Sequence, residues 1–321
     1  MFKVSAFSVI IGLSSLPALA QVPSNRPIVL VSAQPVPGVW PVQYDIRAVT
    51  SNGEIFENPE GRMTKVGNLY LTPDEHVIKV FKYKNTLPAE FKAIVWNSSS
   101  QQVIELEPGY TESDFIIASR TGKRRSIGNA GLMDGDSVLA VSEVRGVWPA
   151  QYEFVVRDDA GQIFATGWDE ENSVSRRQAG PFSIHSDDSV ILVTRISGVY
   201  PTQYELLVRS SDNKIYELDT VKKQASEEGR TLVGRFNLKE SDHIISAMAD
   251  KRTLPITYTL IVSDQKGKVF ELSPTSASDN SQVFSNSRRA VGSLSSWQVQ
   301  NKQPHIVGPA SEVCNFLTQD K

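Results

Sequence analysis

Gly146-Val147-Trp148-Pro149-Ala150-Gln151-Tyr152-Glu153-Phe154-Val155-Val156-Arg157 decides the fold, because the chain writes it five times. The other copies begin Gly38-Val39-Trp40-Pro41-Val42-Gln43-Tyr44, Asn85-Thr86-Leu87-Pro88-Ala89-Glu90-Phe91, Gly198-Val199-Tyr200-Pro201-Thr202-Gln203-Tyr204 and Arg252-Thr253-Leu254-Pro255-Ile256-Thr257-Tyr258. The spacing is about 50 residues, a period that signals a repeat architecture. After each proline the residues alternate. Tyr152, Phe154 and Val156 share one face of an extended strand, and Glu153, Val155 and Arg157 share the other. The first face is apolar in all five copies. The second is half apolar, with Ile94, Val155, Leu207 and Ile261 at its centre and Arg47 in the first copy. Such a strand is covered on both sides rather than half in water.

The flanks repeat too. A short β-branched run precedes each motif: Ile28-Val29-Leu30-Val31, Val77-Ile78-Lys79-Val80, Val138-Leu139-Ala140-Val141, Val190-Ile191-Leu192-Val193 and Ile244-Ile245-Ser246-Ala247. These read as buried strands. Hairpin turns follow at Asn52-Gly53, Ala160-Gly161, Asp212-Asn213 and Lys266-Gly267, where Gly or Asn supplies positive φ. A third strand returns through Ile55-Phe56, Ile163-Phe164, Ile215-Tyr216 and Val269-Phe270. A fourth is expected at Asn68-Leu69-Tyr70-Leu71, Pro181-Phe182-Ser183-Ile184 and Gly234-Arg235-Phe236-Asn237-Leu238. Acidic turns then lead on, at Asp74-Glu75, Asp134-Gly135-Asp136, Asp187-Asp188 and Glu240-Ser241-Asp242. Four antiparallel strands in about 50 residues match a propeller blade. The expected fold is therefore all-β, a five-bladed β-propeller. Tandem immunoglobulin-like β-sandwiches of two units each are the alternative, and the odd number of units counts against them.

The expected organisation is a signal peptide over residues 1–20, a five-repeat β domain over 21–275 and a Ser/Asn/Gln-rich C-terminal tail over 276–321. The units fall at 28–72, 76–118, 137–184, 189–238 and 243–273. Lys3, the apolar Val9-Ile10-Ile11-Gly12-Leu13 and the small-x-small Ala18-Leu19-Ala20 make up the export signal. That run is too short to span a bilayer, and no later stretch is apolar enough to do so. The expected location is the periplasm, the cell surface or the medium. Cys314 is the only cysteine, so no internal disulfide staples the chain. With 33 basic against 36 acidic residues and a net charge of −3, there is no basic excess for a nucleic-acid partner.

The candidate ligand-binding residues are Trp40, Gln43, Trp148, Gln151, Tyr200 and Gln203. An indole or phenol face stacks on the apolar C–H face of a sugar, and an amide nearby reaches hydroxyls. Asp45, Glu153 and Glu205 lie on the same strand face as the glutamines. The competing reading of the aromatics is core packing, favoured by Leu87 and Leu254 at the same repeat position. The acidic turns offer oxygens to calcium but lack the spaced pattern of an EF-hand, so turn formation explains them more simply. Catalytic signatures are missing: there is no Gly-x-Ser-x-Gly, no His-Glu-x-x-His and no glycine-rich phosphate loop. His76 and His243 share a repeat position with Ser137 and Ser189, which suits a turn better than a general base. Cys314 and His305 sit in the irregular tail.

The expected function is an exported, non-enzymatic binding module without cofactor or metal, binding carbohydrate through repeated aromatic loops. The alternatives are a protein-interaction or adhesion scaffold in the envelope, and a hydrolase on a propeller frame with its carboxylates far apart in sequence. The partner is accordingly a glycan or another exported or cell-surface protein.

Overall fold

The computed structural model describes residues 27–36, 38–58, 63–82, 91–107, 123–144, 146–168, 174–182, 184–196, 199, 202–219, 229–234, 236–250, 256–274 and 288–294. The signal peptide, Tyr200, Leu87, Leu254, His305, Cys314 and the segment Trp297–Val299, whose pattern allows one more strand, lie outside them. Among the described residues, no helix is long and apolar enough to cross a membrane.

Five four-stranded antiparallel sheets form the molecule. The first blade holds β1 (Ile28–Pro35), β2 (Tyr44–Thr50), β3 (Glu54–Glu57) and β4 (Thr64–Asn68). The second holds β5 (Glu75–Lys82), β6 (Phe91–Asn97), β7 (Gln102–Leu106) and β8 (Arg124–Gly128). The third holds β9 (Ser137–Val144), β10 (Gln151–Arg157), β11 (Ile163–Trp168) and β12 (Val174–Gln178). The fourth holds β13 (Ser189–Ile196), β14 (Gln203–Arg209), β15 (Ile215–Asp219) and β16 (Arg230–Gly234). The fifth holds β17 (His243–Asp250), β18 (Thr257–Ser263), β19 (Lys268–Leu272) and β20 (Arg288–Ser293). Strand order within each blade follows the chain, so every blade is an up-and-down meander.

The first strands touch one another in a closed cycle: β1 meets β5, β5 meets β9, β9 meets β13, β13 meets β17 and β17 meets β1. The core is likewise divided among five seams. Tyr152, Phe154 and Val156 pack back on the second blade, while Val155 packs forward on the fourth. Phe154 and Val156 are wholly buried. This is why the motif strand is apolar on both faces. The last seam buries Ile46 and Ala48 of the first blade against Ile261 and Val269 of the fifth. The chain thus forms the five-bladed β-propeller its repeats predict, and the sandwich alternative is set aside.

Local details follow the sequence. The hairpins take positive φ at Gly53 (82°), Gly161 (79°), Gly267 (73°) and Asn213 (62°), and the second blade uses Gln101 (53°). A bulge interrupts each innermost pairing, at Ile78, Leu139, Ile191 and Ile245 in four blades. In the first blade it falls at Val29, two register positions nearer the strand start.

Two expectations are corrected. The fourth strands are not the apolar segments expected around Leu69, Phe182 and Phe236. They are the stretches just before, Thr64–Asn68, Val174–Gln178 and Arg230–Gly234. An outer strand is an exposed edge and carries charge for that reason. The apolar residues after it, Leu69 and Leu71, Phe182 and Ile184, Phe236 and Leu238, plug the seam to the next blade. The fifth blade also draws its fourth strand, Arg288–Ser293, from the stretch read as tail.

Candidate functional site

Because each blade is a meander, the connections from first to second strand lie at one end of the ring. The hairpins and the acidic turns lie at the other. Arg157, at the end of β10, donates to the Asp188 carbonyl of the next turn at 3.2 Å, and Arg209, at the end of β14, donates to that of Asp242 at 3.1 Å.

The acidic turns hold the blades. Asp136, Asp188 and Asp242 each accept the backbone N–H three residues back, at 2.8–2.9 Å. Each also takes both guanidinium nitrogens of one arginine in the following outer strand: Arg176, Arg230 and Arg288. In the second blade Glu75 takes one guanidinium nitrogen of Arg124 at 2.5 Å, and the other donates to the Tyr70 carbonyl at 2.7 Å. These are turn-forming acids, as the sequence suggests. Among the described residues one group of three donors, His185, Asp187 and Asp188, has metal-like proximity. Both Asp188 oxygens are already occupied by Arg230. Burial alone would raise the Asp188 and Asp242 carboxyls, but their arginines hold them below the usual range.

The seam acids are also structural. The hydroxyls of Tyr44, Tyr152, Tyr204 and Tyr258 donate to Glu271, Glu105, Glu153 and Glu205 of the preceding blade, at 2.8, 2.5, 2.6 and 2.6 Å. Tyr258 also reaches Glu217 at 2.7 Å. The second blade has Phe91 at this position. There Arg47 lies over the Phe91 ring at 5.0 Å and pairs with Glu57 at 2.8 Å. Asp45 receives Lys82 of the second blade at 3.0 Å. The acids that share a strand face with the glutamines are therefore engaged across the seams. Glu153 and Glu205 serve the next blade's tyrosine, and Asp45 serves Lys82.

The opposite end presents the aromatic loops. Trp40 is 90 % exposed and Trp148 is 93 % exposed. The packing reading fails for both. The two loops are conformational copies: Gly38 and Gly146 have φ of 77° and 78°, and both Trp–Pro bonds are cis. Gln43 is exposed, and its carbonyl accepts from the Val36 N–H at 2.8 Å. Gln151 and Gln203 are half-buried. The Gln203 side-chain oxygen is shielded and has no hydrogen-bond partner among the described residues; a buried acceptor left unmet costs about 1–3 kcal/mol, which a ligand donor would recover.

The sequence reading missed what anchors these loops. Arg125 donates to the Ala150 carbonyl at 2.6 Å, Arg177 to Thr202 at 2.9 Å and Arg289 to Val42 at 2.9 Å. Each acceptor lies just after the motif proline, and each arginine comes from the preceding blade's outer strand. The register equivalents in the first and fourth blades are Thr64 and Thr231. The blades that follow those threonines are the ones carrying Leu87 with Glu90 and Leu254 with Thr257. Arginine, aromatic ring and glutamine therefore appear together at three seams and are absent together at two. The available signal was the Arg-Arg doublet at 124–125, 176–177 and 288–289, whose first member holds the acidic turn.

No family model matches the sequence, and no curated protein matches it. Among solved structures, the chain is similar to the lectin of Aleuria aurantia, described as a six-bladed β-propeller with a novel fucose recognition mode. The identity is 13 %, with 84 % of this chain and 82 % of that chain covered and a TM-score of 0.41. It is similar to a mutant of AofleA from Arthrobotrys oligospora at 10 % identity, covering 77 % and 70 %, with a TM-score of 0.40. It is also similar to SapL1 lectin in complex with alpha methyl fucoside at 14 % identity, covering 72 % of each chain, with a TM-score of 0.34.

Proposed function

We propose that this chain is an exported, non-catalytic binding protein that takes carbohydrate at three seams of its ring. Each site combines an aromatic ring and a glutamine on one blade with an arginine anchor from the blade before. The sites are Trp40 with Gln43 and Arg289, Trp148 with Gln151 and Arg125, and Tyr200 with Gln203 and Arg177. One observation carries the reading. Two tryptophans from non-adjacent blades stand almost fully in water in the same loop conformation. An indole left in solvent forgoes a large burial energy, and a ligand's apolar face recovers it. Sugar rings offer such a face together with hydroxyls for the amide.

Glycan-array screening of the mature chain tests this. Binding is expected, with loss of signal in the folded Trp40→Ala/Trp148→Ala double variant. A folded chain that binds no glycan but captures an envelope protein through the same loops would replace sugar with a protein partner. The export signal at 1–20 supports the exported location, and secretion of a reporter fused to those residues checks it.

A further inference from the structure

We propose that the central channel binds a small monocarboxylate with an apolar tail, its anionic head held by Lys79. The innermost strands enclose a channel of about 570 Å³, within the usual range of small-molecule sites. Each blade lends it apolar wall: Leu30, Ile78, Leu139, Ile191 and Ile245. Lys79 stands in that wall. Its register equivalents are Ser32, Ala140, Leu192 and Ser246, so one blade alone places a charge at this level. The channel's carboxylate, Asp242, has both oxygens on Arg288. Lys79 itself makes no hydrogen bond or ion pair among the described residues.

An ammonium taken from water without a counter-ion is unfavourable. Burial pushes Lys79 below its ordinary pKa, and the nearby Arg47 pushes it the same way. Lys82, three residues on, shows the contrast. Burial would lower it as well, but hydrogen bonds to Asp45 and Glu57 raise it. The fold supplies acids to Lys82 and leaves Lys79 in a channel wall to which every blade adds an aliphatic side chain, with Arg209 and His243 also in the lining. A carboxylate with a short hydrocarbon tail satisfies both features. Its head neutralises the ammonium, and its tail buries apolar area against these wall residues.

Calorimetric titration with hexanoate is the test, with acetate and hexanol as controls. Hexanoate is expected to bind once per chain and to raise the wild-type melting temperature. Acetate lacks the tail and hexanol the charge, and each is expected to bind at least about tenfold more weakly. Lys79→Met is expected to melt no lower than wild type and to weaken hexanoate by about tenfold or more, the scale of one charge-assisted contact. Absence of hexanoate binding, equal binding of acetate, unchanged binding in the variant, or unfolding of the variant would each overturn the proposal.

Discussion

The Tyr44 hydroxyl donates to Glu271 at 2.8 Å, across 227 positions of sequence, at the seam where the last blade meets the first. Tyr44 is buried, and Arg289 pairs with the same carboxylate. It is one of four tyrosine-to-glutamate bonds across seams, so the ring closes by a device used at three of the other four seams, the exception being the one with Phe91. Tyr44→Phe is expected to lower unfolding stability by about 1.5–3 kcal/mol, the value of a hydrogen bond to a charged group. Phe91 shows that the ring itself fits the position. Denaturant unfolding checks this, and an unchanged midpoint would contradict it.

The acidic turns predict a pH dependence. Asp188 and Asp242 titrate lower in the folded chain than in the unfolded one, where a carboxyl sits near ~3.9. Their stabilisation is complete above that value and is lost as the pH falls through the folded values. The Asp188 side chain is wholly buried and that of Arg230 is 6 % exposed. Asp188→Asn removes the carboxylate from this buried ion pair, and it is expected to cost about 3–5 kcal/mol at neutral pH. The loss should shrink as the pH falls below about 4 and through the folded value, where wild type gives up the same interaction. Melting curves of both proteins across pH give the comparison.

Gly167 has φ of 104°, and an added Cβ would lie 2.4 Å from the Tyr152 carbonyl oxygen. Both the conformation and the contact exclude a side chain. Gly167→Ala is expected to destabilise by about 2–3 kcal/mol or more, read as a lower melting temperature. A neutral result would mean that β10 and β11 are further apart than they stand here.

The arginine anchors predict a local defect. Arg125→Met frees the Ala150 carbonyl and with it the root of the Trp148 loop. Sugar affinity at that seam is expected to fall about tenfold, the scale of one such contact. The Trp40 seam should be unaffected, because its anchor is Arg289. Titration of Arg125→Met beside Arg289→Met separates the two. Equal losses at both seams from either variant would point to general loosening.

The blades were legible because strand two must be apolar on both faces, a pattern that sandwiches of exposed sheets do not need. The outer strands were not, because an edge strand is selected for charge, and the apolar period belongs instead to the plug after it. Val174–Gln178 carries no alternation, whereas Phe182 and Ile184 do. The Trp loops were legible as a repeat but not as surface. Leu87 and Leu254 suggested packing because the five copies were read as equivalent. They are not equivalent: Thr64 and Thr231 precede the leucine blades, and arginines precede the aromatic ones. That link joins residues in different blades, and it appears only once the outer strands are correctly placed.

Stoichiometry tests the central claim most directly. Isothermal titration of an array-selected glycan into the mature chain should give more than one site. Trp40→Ala and Trp148→Ala should each remove one, with their effects adding in the double variant. A single site unaffected by either substitution would contradict the account.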